Sequence, residues 1–559
     1  MLLKIILILS VLLYQTCVYS KANEKNEFNR KYLSGYFSAL ISYDNQKNID
    51  ALKFFNSSKF LIQKHDNFLK GYVFSLTLDG QVKKAINLIK RSKNQKNSNF
   101  FEAHLLLLLD NFNNKNYKEA FHSLQNLQNY QENGTYEYAI YKTLESYNNL
   151  FQNKKIDNES ENLGKLSLIT AAFQNCYLNP NKASSFFTDL INSPEGNYSR
   201  YLFFYLANMI ENKKYDIANE ISLTIEPINN SLLISQAKIW IENKEYKKFK
   251  NHFSCKKEKD LLSEFFFLIS NLYSSQDEYE KSNFYLNVSN YLNPKFYYNL
   301  SLLVDNYYLN DNYDLVRKTL EKFDYEDEIY EWYKIKKTAQ ILREQKSDDI
   351  SLKYIENKIK NLKNPSTKIL YDIANIYKLF KKYKISIDYY SKILLKVDSN
   401  SFAYADVLYK RGGSFERIGD HNKSDDDLLK SLEIRSGDPY TLNYLAYSWL
   451  ERNYKIDEAL KMIKSAYNKK ENDPYITDSV GWGYYLIGDY KNAEKYLRKA
   501  VKLMPEDPIV NDHYGDVLWK LNRKLQAKYF WESVLELEET EEKMKEDIKY
   551  KLLNGPKKI

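Results

Sequence analysis

His252 and Cys255, in the segment His252-Phe253-Ser254-Cys255, offer two potential metal ligands three residues apart. A zinc site takes three or four ligands, and no second pair stands at ligand spacing, so a polar turn is the better reading. The other histidines, His65, His104, His122, His421 and His513, are isolated in the sequence. Asp425-Asp426-Asp427 supplies three carboxylates, but successive helix positions point about 100° apart and cannot converge on one ion. There is no Gly-rich phosphate loop, no nucleophile elbow and no His-Glu-x-x-His helix. The expectation is a chain that is not an enzyme and holds no metal or cofactor.

What must position any functional side chain is a repeat of roughly 34 residues. One stretch displays it: Thr477, Val480, Gly481 and Tyr484, then Gly488-Asp489-Tyr490, then Ala493, Leu497, Ala500 and Pro505. Small residues at 481 and 493 let two helices cross closely, while large ones fill the gaps between units. Gly488 suits the turn and Pro505 stops the second helix. The spacing resembles that of the tetratricopeptide repeat (TPR) family, with Thr and Val where Trp and Leu are usual and Leu where Phe is usual. The resemblance implies an all-α fold, a right-handed superhelical solenoid of helix-turn-helix units whose concave surface holds other polypeptides.

The small residue early in each second helix can be followed along the chain. These anchors are Ala51, Ala85, Ala120, Ala183, Ala218, Phe249, Ser282, Val316, Ser351, Ser386, Ser424, Ala459, Ala493 and Ala527. The step from Ala120 to Ala183 is 63 residues, nearly two periods, so a degenerate unit is expected near Tyr136 to Gln152, giving about fifteen units in all. Explicit turn signals, including Asp438-Pro439, Asp473-Pro474 and Asp507-Pro508, mark residues 365–539 as well-formed repeats, with the clearest unit at 474–507. Residues 30–363 read as degenerate repeats, with Phe249 and Val316 at anchors that prefer small side chains. Residues 540–559 read as a capping helix and tail with a polar outer face.

In TPR arrays, positions 2, 5, 9 and 12 of each first helix line the concave face. Carried onto the last three units, the resemblance gives Tyr440, Asn443, Tyr447 and Leu450, then Tyr475, Asp478, Trp482 and Tyr485, then Ile509, Asp512, Asp516 and Trp519. This is an aromatic and acidic surface. Rigid rings bury much area at low entropic cost, and carboxylates favour a cationic segment. A carboxylate clamp of Lys, Asn and Arg is not expected, since the corresponding positions carry Asn443, Asp478 and Asp512.

Residues 1–22 carry an export signal: Lys4, the apolar run Ile5 to Leu13, and Val18-x-Ser20 or Ser20-x-Ala22 as cleavage site. The alternative is an inner-membrane anchor over residues 2–20. After processing, Cys176 and Cys255 remain, and 79 residues of solenoid are expected to hold them too far apart to bond. The net charge of +9 comes from 82 basic residues scattered among 73 acidic ones, which reads as a solvated surface rather than a nucleic-acid site.

Segments such as Asn443 to Trp449, Asp478 to Tyr484 and Asn511 to Asp516 with Trp519 resemble long exported TPR proteins of alphaproteobacteria. The expected function is a non-enzymatic protein-protein interaction scaffold, periplasmic or otherwise associated with the bacterial cell envelope, that holds an extended segment or helix of a partner. The alternative is an accessory subunit of an envelope assembly, pilus or secretion machine or of a partner enzyme. A cryptic enzyme in the N-terminal half is disfavoured by the lack of any convergent catalytic set.

Overall fold

The computed structural model describes residues 30–557 except 66, 93–95, 131, 133, 157–162, 194–198, 324–325 and 539. The residues expected to form an export signal (1–22), or alternatively an anchor (2–20), lie outside the described residues. Every regular element described is helical, and the helices follow one another in the pairs that a solenoid of helix-turn-helix repeats requires. Among the described residues no helix is long and apolar enough to cross a membrane.

Each of the fourteen anchors falls early in the second helix of a pair and is at most 2% exposed. Small side chains there let the paired helices touch. At Gly481 the approach is close enough that a Cβ would fall 2.5 Å from Leu497 Cγ and 3.0 Å from the Leu497 backbone nitrogen. Phe249 is accommodated differently: its second helix, Tyr246–His252, is only 7 residues long, and the ring packs on Phe203 at 5.5 Å and Trp240 at 5.3 Å. The unit expected near Tyr136 to Gln152 is one helix, Tyr136–Asn153, and the next described helix, Lys165–Leu178, already begins the following pair.

Most turns inside a pair use one residue with positive φ. Gly80, Gly419 and Gly488 supply it at 75°, 80° and 79°, but Lys115, Lys213, Lys244 and Lys381 supply it elsewhere at 56° to 61°. Lysine hides the turn from a reading that looks for glycine.

The described residues pack as two compact units, one running through Ile225 and resuming at Ser231–Ile341, the other comprising Glu226–Asn230 and the chain from Leu342 onward. In the first unit the helical array returns on itself. Phe74 stacks on Phe284 at 4.5 Å, Tyr136 meets Tyr273 edge-on at 4.8 Å, and Asn287 Nδ2 donates to the Leu78 carbonyl at 3.0 Å. The inner faces of these repeats thereby become one aromatic core that includes Tyr147, Phe173, Phe204, Phe253 and Phe266. Arg200 sits beside it, paired with fully buried Glu264 at 2.6 Å and 3.8 Å from the Phe267 ring centre.

That curvature corrects the expectation for the cysteines. Cys176, near the end of Lys165–Leu178, and Cys255, just before Glu258–Ser274, are joined by a disulfide, with Cα atoms 5.6 Å apart and both residues buried. The expected separation rested on a straight array. An array that closes on itself brings residues 79 positions apart together.

In the second unit, Glu226–Asn230 packs against the repeats as a short intrachain segment. Ile228 is buried with Leu370, Tyr371 and Tyr390, and Lys368 Nζ donates to its carbonyl at 2.8 Å. The capping helix expected over 540–559 is Glu542–Asn554.

Candidate functional site

The first helices of the last three repeats are positioned by one device used three times. Asp438, Asp473 and Asp507 each cap a helix whose first residue is proline, accepting from the backbone N–H of Thr441, Ile476, and both Ile509 and Val510. A carboxylate at the N-cap satisfies otherwise unpaired amides, and proline costs no hydrogen bond there. The three helices, Pro439–Glu451, Pro474–Leu486 and Pro508–Lys520, therefore start in register and offer equivalent positions to equivalent surroundings.

The expected groove residues fall into three groups. Position 2 is open: Tyr440 is 49% exposed, Tyr475 53% and Ile509 51%. Asn443, Tyr447, Asp512 and Trp519 are half-buried. Asp478, Trp482, Tyr485, Asp516 and Leu450 are buried.

The buried members converge on His513. Trp482 stacks against its ring at 4.0 Å and against Tyr485 at 4.8 Å, with Tyr447 at 6.5 Å. His513 Nδ1 lies 2.9 Å from Asp478 Oδ2, and Trp482 Nε1 donates to Glu451 Oε1 at 2.8 Å. A second centre is Lys551 of the capping helix, 2.6 Å from Asp512 Oδ1 and 2.9 Å from Asp516 Oδ1. Trp519 lies 5.5 Å from Trp531, with Lys524 over its ring at 5.0 Å.

The charges interlock. Burial alone would lower the His513 pKa, but Asp478, with help from Asp512 and Glu451, overrides it and raises it to about 9. Burial lifts the Asp516 carboxyl, and the neighbouring Asp512 charge lifts it further against the pull of Lys551. Burial first, and then Glu451, Asp478 and Asp512, push the Tyr447 hydroxyl well up. Four carboxylates, Glu451, Asp478, Asp512 and Asp516, stand against His513, Lys551 and the nearby Arg417, so acids outnumber bases although the best-placed acids already have partners in the chain. Asn443 Oδ1 is buried without a hydrogen-bond partner.

Sequence reasoning missed His513, Glu451 and Lys551. His513 stands one repeat, 35 residues, after Asp478, so adjacency of equivalent helix turns could have exposed the pair. Lys551 lies beyond the last repeat, where the period says nothing. Elsewhere, Asp425 accepts from Trp449 Nε1 at 3.0 Å and pairs with Arg452, whereas Asp427 takes Arg411 at 2.7 Å, so these carboxylates serve different helices. His252 Nδ1 lies 2.7 Å from the Lys248 carbonyl oxygen, and Cys255 is in the disulfide.

The family profile described as tetratricopeptide repeat matches residues 481–507. A TPR repeat-containing protein of Pseudomonas aeruginosa is 31% identical over 110 residues, 20% of this chain and 18% of that protein. Anaphase-promoting complex subunit 3 of Schizosaccharomyces pombe is 24% identical over 127 residues, 23% of this chain and 17% of that one. The chain thus spans less than a fifth of either curated relative. Among solved structures, a thermophilic TPR protein of Thermus thermophilus aligns with 34% of this chain and 100% of its own at 15% identity and a TM-score of 0.30. MamA from Desulfovibrio magneticus aligns with 32% of this chain and 97% of its own at 18% identity and a TM-score of 0.27. Among the described residues, fourteen helix pairs with a buried anchor in each form a helical repeat array like that of tetratricopeptide-repeat proteins, and the family profile itself matches the one unit where Gly481 meets Leu497.

Proposed function

We propose that this chain is a non-enzymatic scaffold of the bacterial cell envelope that holds an extended segment or helix of a partner protein along the first-helix face of its last three repeats. The observation that carries this reading is the row Tyr440, Tyr475 and Ile509. These three large side chains, each about half exposed, recur at the same position of successive capped helices and lie beside a cluster with excess negative charge. Exposed aromatic and aliphatic anchors in a fixed row are what protein interfaces use, and the carboxylates favour a cationic partner segment. Trp482 and Tyr485 act beneath this row as its support, and Trp519 at its edge.

The test uses a partner co-purified from the native envelope. Tyr440→Ala with Tyr475→Ala is expected to weaken its binding about thirtyfold, the equivalent of about 2 kcal/mol. Circular dichroism should be unchanged, because both rings are open to solvent. Wild-type affinity in the double variant would move the interface off this face.

The location is part of the proposal. It is supported by the signal pattern of residues 1–22 and by a disulfide, a bond that cytosolic thiol chemistry keeps reduced. Residues 1–30 fused to a reporter active only outside the cytoplasm are expected to give signal, with the mature chain starting at Lys21 or Asn23. A silent reporter would refute export. Full-length protein retained in carbonate-washed membranes would favour the anchor over residues 2–20.

A further inference from the structure

The single helix Tyr136–Asn153 leaves its repeat without the usual partner helix. In an ordinary unit that second helix would pack between the neighbouring second helices, here Tyr117–Leu127 and Pro180–Ile191, and against the first helix that follows, Lys165–Leu178. A cavity of about 1060 Å³ is bounded by those four helices, so it occupies the place a second helix would take.

Its lining differs from that of a helix socket. A socket for an amphipathic helix would present mainly apolar side chains to it. Here Thr143, Ser146 and Asn149 mark the wall on one side and Ser167, Thr170 and Gln174 the wall on the other. Eight of the 23 lining residues are Asn or Gln and four are Ser or Thr, whereas only Lys118, Lys142 and Glu145 are formally charged. Two of those three neutralise each other, Lys142 Nζ lying 3.3 Å from Glu145 Oε2.

Several of these amides are built into the fold. Gln174, 3% exposed, donates from Nε2 to Ser146 Oγ at 2.7 Å across the base of the cavity. Asn175, 7% exposed, donates to the Ala171 carbonyl at 2.9 Å. Asn148, 5% exposed, lines the cavity with its Oδ1 buried and without a hydrogen-bond partner.

We infer that this trough is a second binding site, in the first unit, for an extended and uncharged polar polypeptide segment held mainly through its backbone. Each peptide group of such a segment presents one N–H and one C=O, the same donor and acceptor that a primary amide offers, whereas a bound helix spends most of its backbone groups on its own hydrogen bonds and has few left for the amides of the wall. The volume is at the top of the ~300–1,000 Å³ range of small-molecule sites, which suits a polymer segment. The wall from Tyr141 to Asn153 runs roughly 18 Å at 1.5 Å per residue, room for about five or six extended residues. The site goes beyond the interface proposed for the last three repeats and shares no residue with it.

The probe is an array of acetylated, amidated hexapeptides composed of Ser, Thr, Asn, Gln and Gly, screened with the full chain, followed by solution affinity for the best binder. A subset is expected to retain the protein, and the best hexapeptide should slow hydrogen exchange in 141–153 and 167–175. Asn148→Leu should weaken it at least tenfold. Should that variant fold poorly, Asn149→Lys, at a half-buried wall position, blocks the trough from its open side and is expected to do the same. No retention, undiminished binding in the folded variants, or protection of 141–153 only by an amphipathic helical peptide would each overturn the proposal.

Discussion

Replacing Cys176 by serine is expected to lower the stability of the first unit by about 5 kcal/mol. The bond closes a loop of 79 residues, and fixing the ends of a loop that long removes conformational entropy from the unfolded chain. By the chain-entropy relation the contribution is about 4.5 kcal/mol. The folded state adds to the loss. Cys176 is 1% exposed and Cys255 2%, both within the aromatic core, so a hydroxyl at 176 enters apolar surroundings and a lone thiol remains opposite it. Denaturant titration of the oxidised protein, the reduced protein and Cys176→Ser checks this. The reduced and substituted forms should both have midpoints well below the oxidised one, the substituted form the lower of the two, and a midpoint that reductant does not move would show that the cross-link contributes nothing.

The second large effect is a loss of stability in the last repeats as the solution becomes alkaline. His513 has its folded-state pKa raised to about 9 from an ordinary 6.5, so the imidazolium is favoured by folding. Its contribution is complete below about pH 6.5 and disappears as pH rises through 9, a difference of about 3 kcal/mol from a shift of that size. Asp516 adds a change of the same sign at lower pH. Its pKa is raised from 3.8 to about 6, so its contribution is present while the group is protonated in both states and is lost as pH climbs through 6. Denaturation midpoints from pH 6.5 to 9.5 should fall in wild type and flatten in His513→Gln. An NMR titration placing His513 near 6.5 would contradict the pairing with Asp478.

The features legible in the sequence are those fixed by neighbours within one repeat. Gly481 and Ala493 announce a close crossing because their spacing is local, and Asp473-Pro474 announces a helix start because cap and first turn are consecutive. Turns closed by Lys213 or Lys244 are illegible, since lysine there adopts the conformation that glycine usually signals. Long-range results are hidden for a different reason. The joining of Cys176 to Cys255, and of Phe74 to Phe284, depends on curvature summed over several units, which no single period encodes. At the candidate interface the repeat places Tyr440, Tyr475, Asp478 and Trp482 on one face but cannot say how deep each lies. That depth depends on His513 wedged between Trp482 and Asp478, and on Lys551 reaching back from the capping helix.

The return of the first unit onto itself also alters how it must fold. An open array of repeats melts by fraying, because each unit answers only to its neighbours and stability adds along a line. Here the Phe74–Phe284 stack and the Asn287 to Leu78 hydrogen bond tie together residues more than 200 positions apart, so the repeats between them cannot unravel one after another. Contacts of such sequence separation slow the search for the native state and join its formation into a single step. The second unit links an early repeat to its capping segment through Lys381 and Glu541, 2.7 Å apart but both 71% exposed, a pairing too well solvated to act as a clasp. The closed part of the first unit is therefore expected to open as a whole, and the second unit in steps from its ends.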